Sequence, residues 1–253
     1  MVAQKPNIVW RGCPNYWHGR VDDQNRPWSV IAIVDHIMVG SMESTDGWFK
    51  NPASQASSTY GVAKDGRIYQ WVNVDDTHWG NGLLQAPDMS VAWIAECANK
   101  TINPNYRTIS IEHEGYSGDV FPETQYQATL ALHRWLLSTF NIPADRQHIN
   151  GHYQLMKYDK ATCPGPSFPW ARLIGDLQPM IPPALAPNIG PGMTGYLKQH
   201  NLTPATPEIY VGAGASVLYC TDGTKLEAYE NYDPNTGKPL PDGSWTVKTV
   251  KLT

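Results

Sequence analysis

Three residues spread over half the chain place the strongest constraint on its fold. His36, His152 and Cys163 each sit where a metal ligand should sit, and as one site they draw three distant segments together. His36 closes an apolar run, Val30-Ile31-Ala32-Ile33-Val34, whose β-branched residues suit a buried strand. It therefore stands at a strand's carboxyl end, a common place for functional groups in α/β proteins. His152 follows Asn150-Gly151 beyond a helix, and Cys163 comes eleven residues later in Thr162-Cys163-Pro164-Gly165-Pro166. Imidazole with thiolate is zinc chemistry by ligand softness. Three protein ligands leave a fourth position for water, the pattern of a catalytic site. Any one of these residues alone would read as structural; the constellation carries the argument.

The chain has 253 residues, enough for one large domain or a medium domain with a small one. Hydrophobic content of 41% and charged content of 17% describe a globular chain, not a disordered one. A net charge of −4 and the lack of a polybasic run give no reason to expect nucleic acid or an anionic membrane as partner. The N-terminus, Met1-Val2-Ala3-Gln4-Lys5-Pro6-Asn7, has no apolar signal region, and no stretch is long and apolar enough to insert in a membrane. With Cys163 on a metal, Cys13, Cys97 and Cys220 remain, an odd set that argues for a reduced, cytoplasmically made protein.

Residues 1–178 form the expected catalytic domain. After an irregular, proline-containing lead-in, Tyr60–Ala63 and Arg67–Val72 flank Lys64-Asp65-Gly66, a hairpin signal. Thr108–Glu114 is a further strand. A helix is expected over Thr124–Phe140, where Thr124 and Gln127 have capping-box spacing and Leu132, Leu136 and Phe140 recur along one face. This order of elements predicts an α/β fold, a central sheet covered by helices. Five prolines lie between Gln178 and Pro191, so residues 179–192 read as a semi-rigid linker. Residues 193–253 read as a small β-rich domain: Ile209–Val211, Val217–Cys220, Lys225–Tyr229 and Trp245–Leu252 are strand-like, with turns at Asp222-Gly223, 233–237 and 241–243. Tyr196, Tyr210, Tyr219, Tyr229, Tyr232 and Trp245 give that domain stacking faces for glycan, although a stabilising appendage with no ligand has the same pattern.

Several segments, in order, also carry a family resemblance: His36-Ile37-Met38-Val39-Gly40-Ser41, Trp48-Phe49-Lys50-Asn51-Pro52, Ser57 to Gly66, Thr108 to Gly115, Gly151-His152 and Cys163-Pro164-Gly165. Over roughly residues 7 to 175 the chain resembles the zinc-dependent N-acetylmuramoyl-L-alanine amidases of type 2, which include phage endolysins, autolysins and peptidoglycan recognition proteins. The resemblance implies a mixed β-sheet with helices on both faces. It implies a monomeric Zn2+ enzyme that acts on bacterial peptidoglycan, cutting between N-acetylmuramic acid and L-alanine. An enzyme of this kind without a leader fits an endolysin released through a holin; one trimmed of its leader would look the same.

Amide hydrolysis needs a base for water and an acid for the leaving amine. The resemblance gives this role to Glu112, with Glu114, two residues on and so on the same strand face, in reserve. Relatives often stabilise the oxyanion with a lysine two residues before the third ligand. Here that position is Ala161, so Lys160 or Thr162 is the candidate. The histidine of their Ala-Trp-His-Ala-Gly falls on Gly80, leaving His78 displaced by two. Thr59 replaces a frequent histidine, and Ser58 falls where some phage enzymes have a tyrosine. Ten Trp and thirteen Tyr against four Phe favour half-wet surfaces on which sugars stack, and Trp48, Trp71, Trp79 and Trp93 are the candidates for glycan contact. A non-catalytic recognition module is the competing class, but serine commonly stands at the Cys163 position in such binders. A structural zinc protein would need a fourth ligand; His18, His78, His113 and Cys97 exist, but none has a paired spacing.

Overall fold

The structure, a computed structural model, describes residues 3–178 and, beyond them, the backbone of four strands between 209 and 251. The backbone divides into two compact units, Met1–Leu177 and Gln178–Thr253. The expected linker at 179–192, residues Tyr196 and Tyr232, and the turns at 222–223, 233–237 and 241–243 lie outside the described residues.

The first unit runs β1 (Val9–Trp10), β2 (Tyr16–Trp17), β3 (Ala32–Ile37), α1 (Met42–Lys50), β4 (Tyr60–Val62), β5 (Ile68–Gln70), β6 (Thr77–His78), α2 (Ala92–Lys100), β7 (Thr108–His113), α3 (Glu123–Phe140), β8 (Ile149–Gly151) and α4 (Trp170–Leu177). Six strands form one sheet in the order β1-β5-β4-β7-β3-β8, and β2 pairs with β6 in a separate ribbon. Within the large sheet the β4–β5 hairpin is antiparallel and the other pairings are parallel. This is the expected α/β architecture with a mixed sheet.

Strands buried on both faces read as continuous apolar runs, and β3 shows why. Ile33, with Ile109, Ile111 and Ile149 of neighbouring strands, packs against Leu130, Leu132, Leu136 and Leu137 of α3 and Leu173 of α4. Ala32 and Val34 face the other way, onto Trp93, Ile94 and Cys97 of α2. Each fully buried large aliphatic side chain contributes about 1.5–3 kcal/mol. Met42 and Phe49 of α1 build a third cluster with Trp71. Among the described residues no helix is long and apolar enough to cross a membrane, and Cys13, Cys97 and Cys163 are free thiols.

Several elements differ from the sequence expectation. The apolar run marks β3, but the strand continues through Asp35 and His36 because both are buried and paired in register with β7. The lead-in holds β1 and β2, strands too short to carry a periodicity. Helices α1 and α2 were not anticipated. The capping box at Thr124 does not form: Pro122 is the N-cap of α3, Thr124 Oγ1 donates to Lys64 O at 2.5 Å, and Gln127 Nε2 donates to Glu123 Oε1 at 2.7 Å. In the second unit β9 (Ile209–Gly212), β10 (Ala215–Tyr219), β11 (Thr224–Glu230) and β12 (Trp245–Lys251) make an antiparallel sheet in sequential order, close to the four expected strands.

Helix α1 is held by its own cap and by one carboxylate. Ser41 and Ser44 form a reciprocal capping box at its start. At its middle, buried Asp46 accepts from Arg11 Nε at 3.1 Å, Arg11 Nη2 at 2.5 Å, Lys50 Nζ at 2.9 Å and the indole N–H of Trp71 at 2.9 Å. Burial opposes its ionisation, but these donors overcome that and hold its pKa well below the usual carboxylate range. Because the folded-state pKa lies below the unfolded value of about 3.9, the stabilisation is full above pH ~4 and is lost as pH falls further. Asp46→Ala should therefore cost about 2–3 kcal/mol at neutral pH, the scale of losing charge-assisted hydrogen bonds. Denaturant unfolding at a series of pH values should show the gap to the parent closing below pH ~4.

Candidate metal centre and cleft

Strand register assembles the site. In the parallel β3–β7 pair, His36 stands beside Glu112 and Val34 beside Ser110. The two-residue period puts His36 and Glu112 on one face and Asp35 and Ile111 on the other. On the far side of β3, Asp35 pairs with Gly151 of β8. The next residue, His152, opens a 3-10 turn that brings it to His36. The following loop returns Cys163, whose N–H donates to Lys160 O at 2.9 Å and whose carbonyl accepts from Tyr153 N–H at 3.1 Å. Its Sγ accepts from Ile37 N–H at 3.3 Å. The ligand atoms of His36, His152 and Cys163 lie within 4.8 Å of one another, and all three residues are buried.

Hydrogen bonds assign the tautomers. Thr108 Oγ1 donates to Pro104 O at 3.0 Å, so it accepts from Asn81 Nδ2 at 2.8 Å, which turns Asn81 Oδ1 toward His36. His36 Nε2 then donates to Asn81 Oδ1 at 3.2 Å, and His152 Nε2 donates to the backbone O of Asn81 at 2.9 Å. One asparagine thus fixes both rings. Each neutral imidazole is left with its lone pair on Nδ1, and the two Nδ1 atoms face each other at 2.9 Å. Two lone pairs at that distance call for a positive centre. A proton is a poor one: burial, then the neighbouring His152, holds His36 well below its ordinary pKa, and burial lowers His152 to about 4. Burial, then Glu112, pushes the Cys163 thiol up to about 12, so its thiolate also waits on a cation. Two imidazole nitrogens and one sulfur are a donor set that suits zinc. Among the described residues no fourth histidine, cysteine or carboxylate joins the cluster.

The three residues line a cleft of about 610 Å³. Glu112 lines it too; burial raises its carboxyl to about 7 against the opposing charge of Lys160, and its Oε2 is buried with no partner among the described residues. Lys160 lies at the rim, exposed. Helix α1 contributes Thr45, Trp48 and Phe49 to the lining, and the loop after β6 contributes Trp79 and Gly80. Val39, also in the lining, sits at φ 54°, costly for a β-branched residue. It is clamped there because Met38 N–H binds His113 O at 2.9 Å and Gly40 N–H binds Gly115 O at 3.1 Å.

Other expected site residues lie elsewhere. His78 is fully buried outside the cleft, Nε2 donating to Thr108 O at 3.1 Å and Nδ1 accepting from Gly80 N–H at 3.1 Å. Glu114 follows the end of β7 and does not line the cleft; its carboxylate accepts from Met42 N–H at 3.2 Å and Lys64 N–H at 2.7 Å, joining α1 to the hairpin. Thr162 is exposed and points no group into the lining. Trp71 and Trp93 are core residues, their indole N–H groups donating to Asp46 and to Asn150 Oδ1 at 3.0 Å. Ser58 and Thr59 are buried outside the lining, with Ser58 Oγ 2.9 Å from Ser110 Oγ. At Gly80, a Cβ would lie 2.8 Å from Ser57 O and 2.7 Å from Ser110 Oγ, so this backbone admits no side chain at the position onto which the resemblance would place a histidine.

Sequence reasoning missed Asn81 and the polar cluster behind the sheet. His133 donates from Nδ1 to Thr129 O at 2.9 Å, and its Nε2 lies 3.3 Å from Asp35 Oδ2, a fully buried pair. Burial alone would lower its pKa, but Asp35 raises it. His113 Nδ1 donates to the backbone O of His36 at 3.0 Å. An asparagine in a glycine-rich loop and an aspartate in an apolar strand carry no periodic signal for such roles.

A model of the N-acetylmuramoyl-L-alanine amidase family matches residues 24–166, more than half of the chain. N-acetylmuramoyl-L-alanine amidase A of Achromobacter lyticus is 28% identical over 159 residues, which are 55% of this chain and 78% of that protein. The 1,6-anhydro-N-acetylmuramyl-L-alanine amidase AmpD of Escherichia coli (strain K12) is 31% identical over 111 residues, 44% of this chain and 52% of its own length. The chain thus matches about half the length of that relative. The crystal structure of a selenomethionine AmpD derivative superposes with a TM-score of 0.49 and 21% identity, over 70% of this chain and 99% of that one. By the family match, the chain belongs to the N-acetylmuramoyl-L-alanine amidases.

Proposed function

We propose that the protein is a zinc-dependent peptidoglycan hydrolase that cuts the amide between N-acetylmuramic acid and L-alanine. The observation that carries the reading is the pair of opposed Nδ1 lone pairs, 2.9 Å apart beside the Cys163 sulfur, in a cleft that also holds Glu112. His36, His152 and Cys163 would hold the ion, which when bound supplies Lewis-acid activation of water and of the amide carbonyl. Glu112, with a carboxyl near neutrality, can accept a proton from the attacking water and return it to the leaving L-alanine nitrogen. Lys160 brings positive charge to the same cleft, where negative charge develops on the carbonyl oxygen. Trp48 and Trp79 offer apolar lining for the substrate. Acting on intact wall, such an enzyme is lytic, as endolysins and autolysins are. The antiparallel sheet of the second unit is read as a tether to that wall.

The direct test is digestion of purified murein with and without chelator: new L-alanine amino groups without new reducing sugars identify an amidase. Cys163→Ser should lose zinc and activity together by orders of magnitude, because a hydroxyl is not a thiolate at neutral pH. Metal analysis finding stoichiometric zinc and full activity in that variant would sink the ligand assignment.

Glu112→Gln should lower turnover roughly 10²–10⁴-fold, the scale of a positioned general base. Its zinc content should stay near the parent's, which separates loss of the base from loss of the ion. Glu114→Gln should cost far less turnover.

Ending the chain at Gln178 should preserve hydrolysis of small soluble muropeptides and weaken retention on intact walls, since tethering raises local concentration without altering chemistry. Pelleting with walls measures the second effect, and undiminished retention would remove the tether.

A further inference from the structure

Next to the cleft lies a second cavity of about 380 Å³, lined by Trp17, Gln55, Trp79, Leu83, Asn103 and Asn105 among others. Trp79 and Gly82 line both cavities, so the two are neighbours with a shared wall. We propose that this second cavity is a saccharide subsite, taking a neutral sugar ring of the glycan strand adjacent to the one whose stem amide occupies the cleft. The proposal rests on the amidase reading for the register of the strand, but not for the binding chemistry.

The lining has the composition that carbohydrate requires. Trp17 and Trp79 stand with ring centroids 5.3 Å apart and planes tilted by 56°, and Tyr106 backs Trp17 at 6.0 Å. Trp17 is 44% exposed and lines the cavity, so part of its indole is available to a pyranose ring. Gln55 offers a carboxamide donor and acceptor for hydroxyl and N-acetyl groups, and Asn103 adds an amide donor, while the Oδ1 atoms of Asn103 and Asn105 are held by the N–H groups of Asn105 and Asn81. The indole N–H of Trp79, a residue that lines both cavities, is buried with no partner among the described residues. No charged side chain lines the cavity. A stem peptide, which carries free carboxylates and amines, would enter it unpaired; an uncharged N-acetylated sugar would not.

The platform is rigid and belongs to this chain's own lead-in. Trp17 lies outside the family match at 24–166. Its strand pairs Trp17 with Thr77 and Tyr16 with His78. Two further bonds pin the segment: Gly19 N–H to Asp76 Oδ1 at 2.8 Å, and Thr77 Oγ1 to Gly19 O at 2.7 Å. On the opposite wall, Asn105 Oδ1 accepts from Asn81 N–H at 2.9 Å, so the subsite shares a residue contact with the asparagine that orients both imidazoles.

The test uses the full chain and a peptide-free probe, the linear tetramer of N-acetylglucosamine, followed by calorimetry and tryptophan fluorescence. Saturable binding is expected, weakened about five- to tenfold in Trp17→Ala, the scale of one lost stacking contact. Trp17→Phe should retain most of it. In parallel, the ratio of kcat/KM for muropeptides with two disaccharides over those with one should fall by a similar factor in Trp17→Ala. Tyr158→Ala, which removes an exposed aromatic outside both cavities, should leave binding and ratio unchanged. Absent tetramer binding, a Trp17→Ala protein that binds it as the parent does, or displacement of the tetramer by free stem peptide would each overturn the subsite. The amidase reading fails separately: a chain that binds the tetramer through Trp17 but hydrolyses no murein keeps the subsite and loses the reaction.

Discussion

The parallel pairing of β3 with β7 is the constraint from which the rest of the site follows. Its register sets His36 against Glu112 on one face and, in the same step, Asp35 against Ile111 on the other. A slip of one residue would send the imidazole into the helix-covered core and the aspartate into the cleft. The register is held on the core face by isoleucines that share one cluster with α3. It is also held by polar contacts. Asp35 and His133 join β3 to α3 through a buried pair. Separating such a pair leaves buried polar groups unmet, which makes misregistered alternatives costly. His113 adds a third tie by donating to the backbone of His36 itself. The sheet therefore presents His36 from a backbone fixed on both sides.

Orientation of the rings is a separate matter and depends on Asn81. A histidine offers either nitrogen to a metal, and the choice is made by what binds the other one. Here a side-chain oxygen and a backbone oxygen of one residue make that choice for both histidines. Asn81 is in turn fixed by Thr108 and Asn105, and His78 packs against Thr108 from beneath. His78 thus belongs to the support of the site and not to its surface.

Much of this was legible in the sequence, and the parts that were not have a common cause. The apolar run before His36, the Asp-Gly hairpin and the leucine spacing of α3 are periodic signals that burial imposes, and each corresponds to an element. The convergence of His36, His152 and Cys163 was legible because thiolate and imidazole together are unusual. Short strands such as β2 and helix α1, with one glycine and five polar residues in nine, carry too little apolar pattern to declare themselves. Residues that act through one hydrogen bond are no clearer. Strand alternation paired Glu112 with Glu114, yet β7 ends at His113, and the chain turns Glu114 toward the backbone of α1 and the hairpin. Periodicity predicts a face only while the strand lasts.

The centre combines groups that are inexpensive to bury while neutral. Both histidines are held well toward their neutral forms and the Cys163 thiol toward its protonated form, so no net charge must be desolvated for this corner of the sheet to fold. Around it, the apolar clusters on the sheet are complete without the three residues. A fold stabilised in this way does not wait for a metal to form, unlike small domains whose core is the metal site itself. What the ion would change is local: it would replace the repulsion between two lone pairs with shared coordination, and it would draw the proton from Cys163. Metal occupancy should then affect the stability of the loop that carries Cys163 more than that of the sheet, because that loop contributes a ligand and otherwise reaches β3 through a single Sγ contact to Ile37.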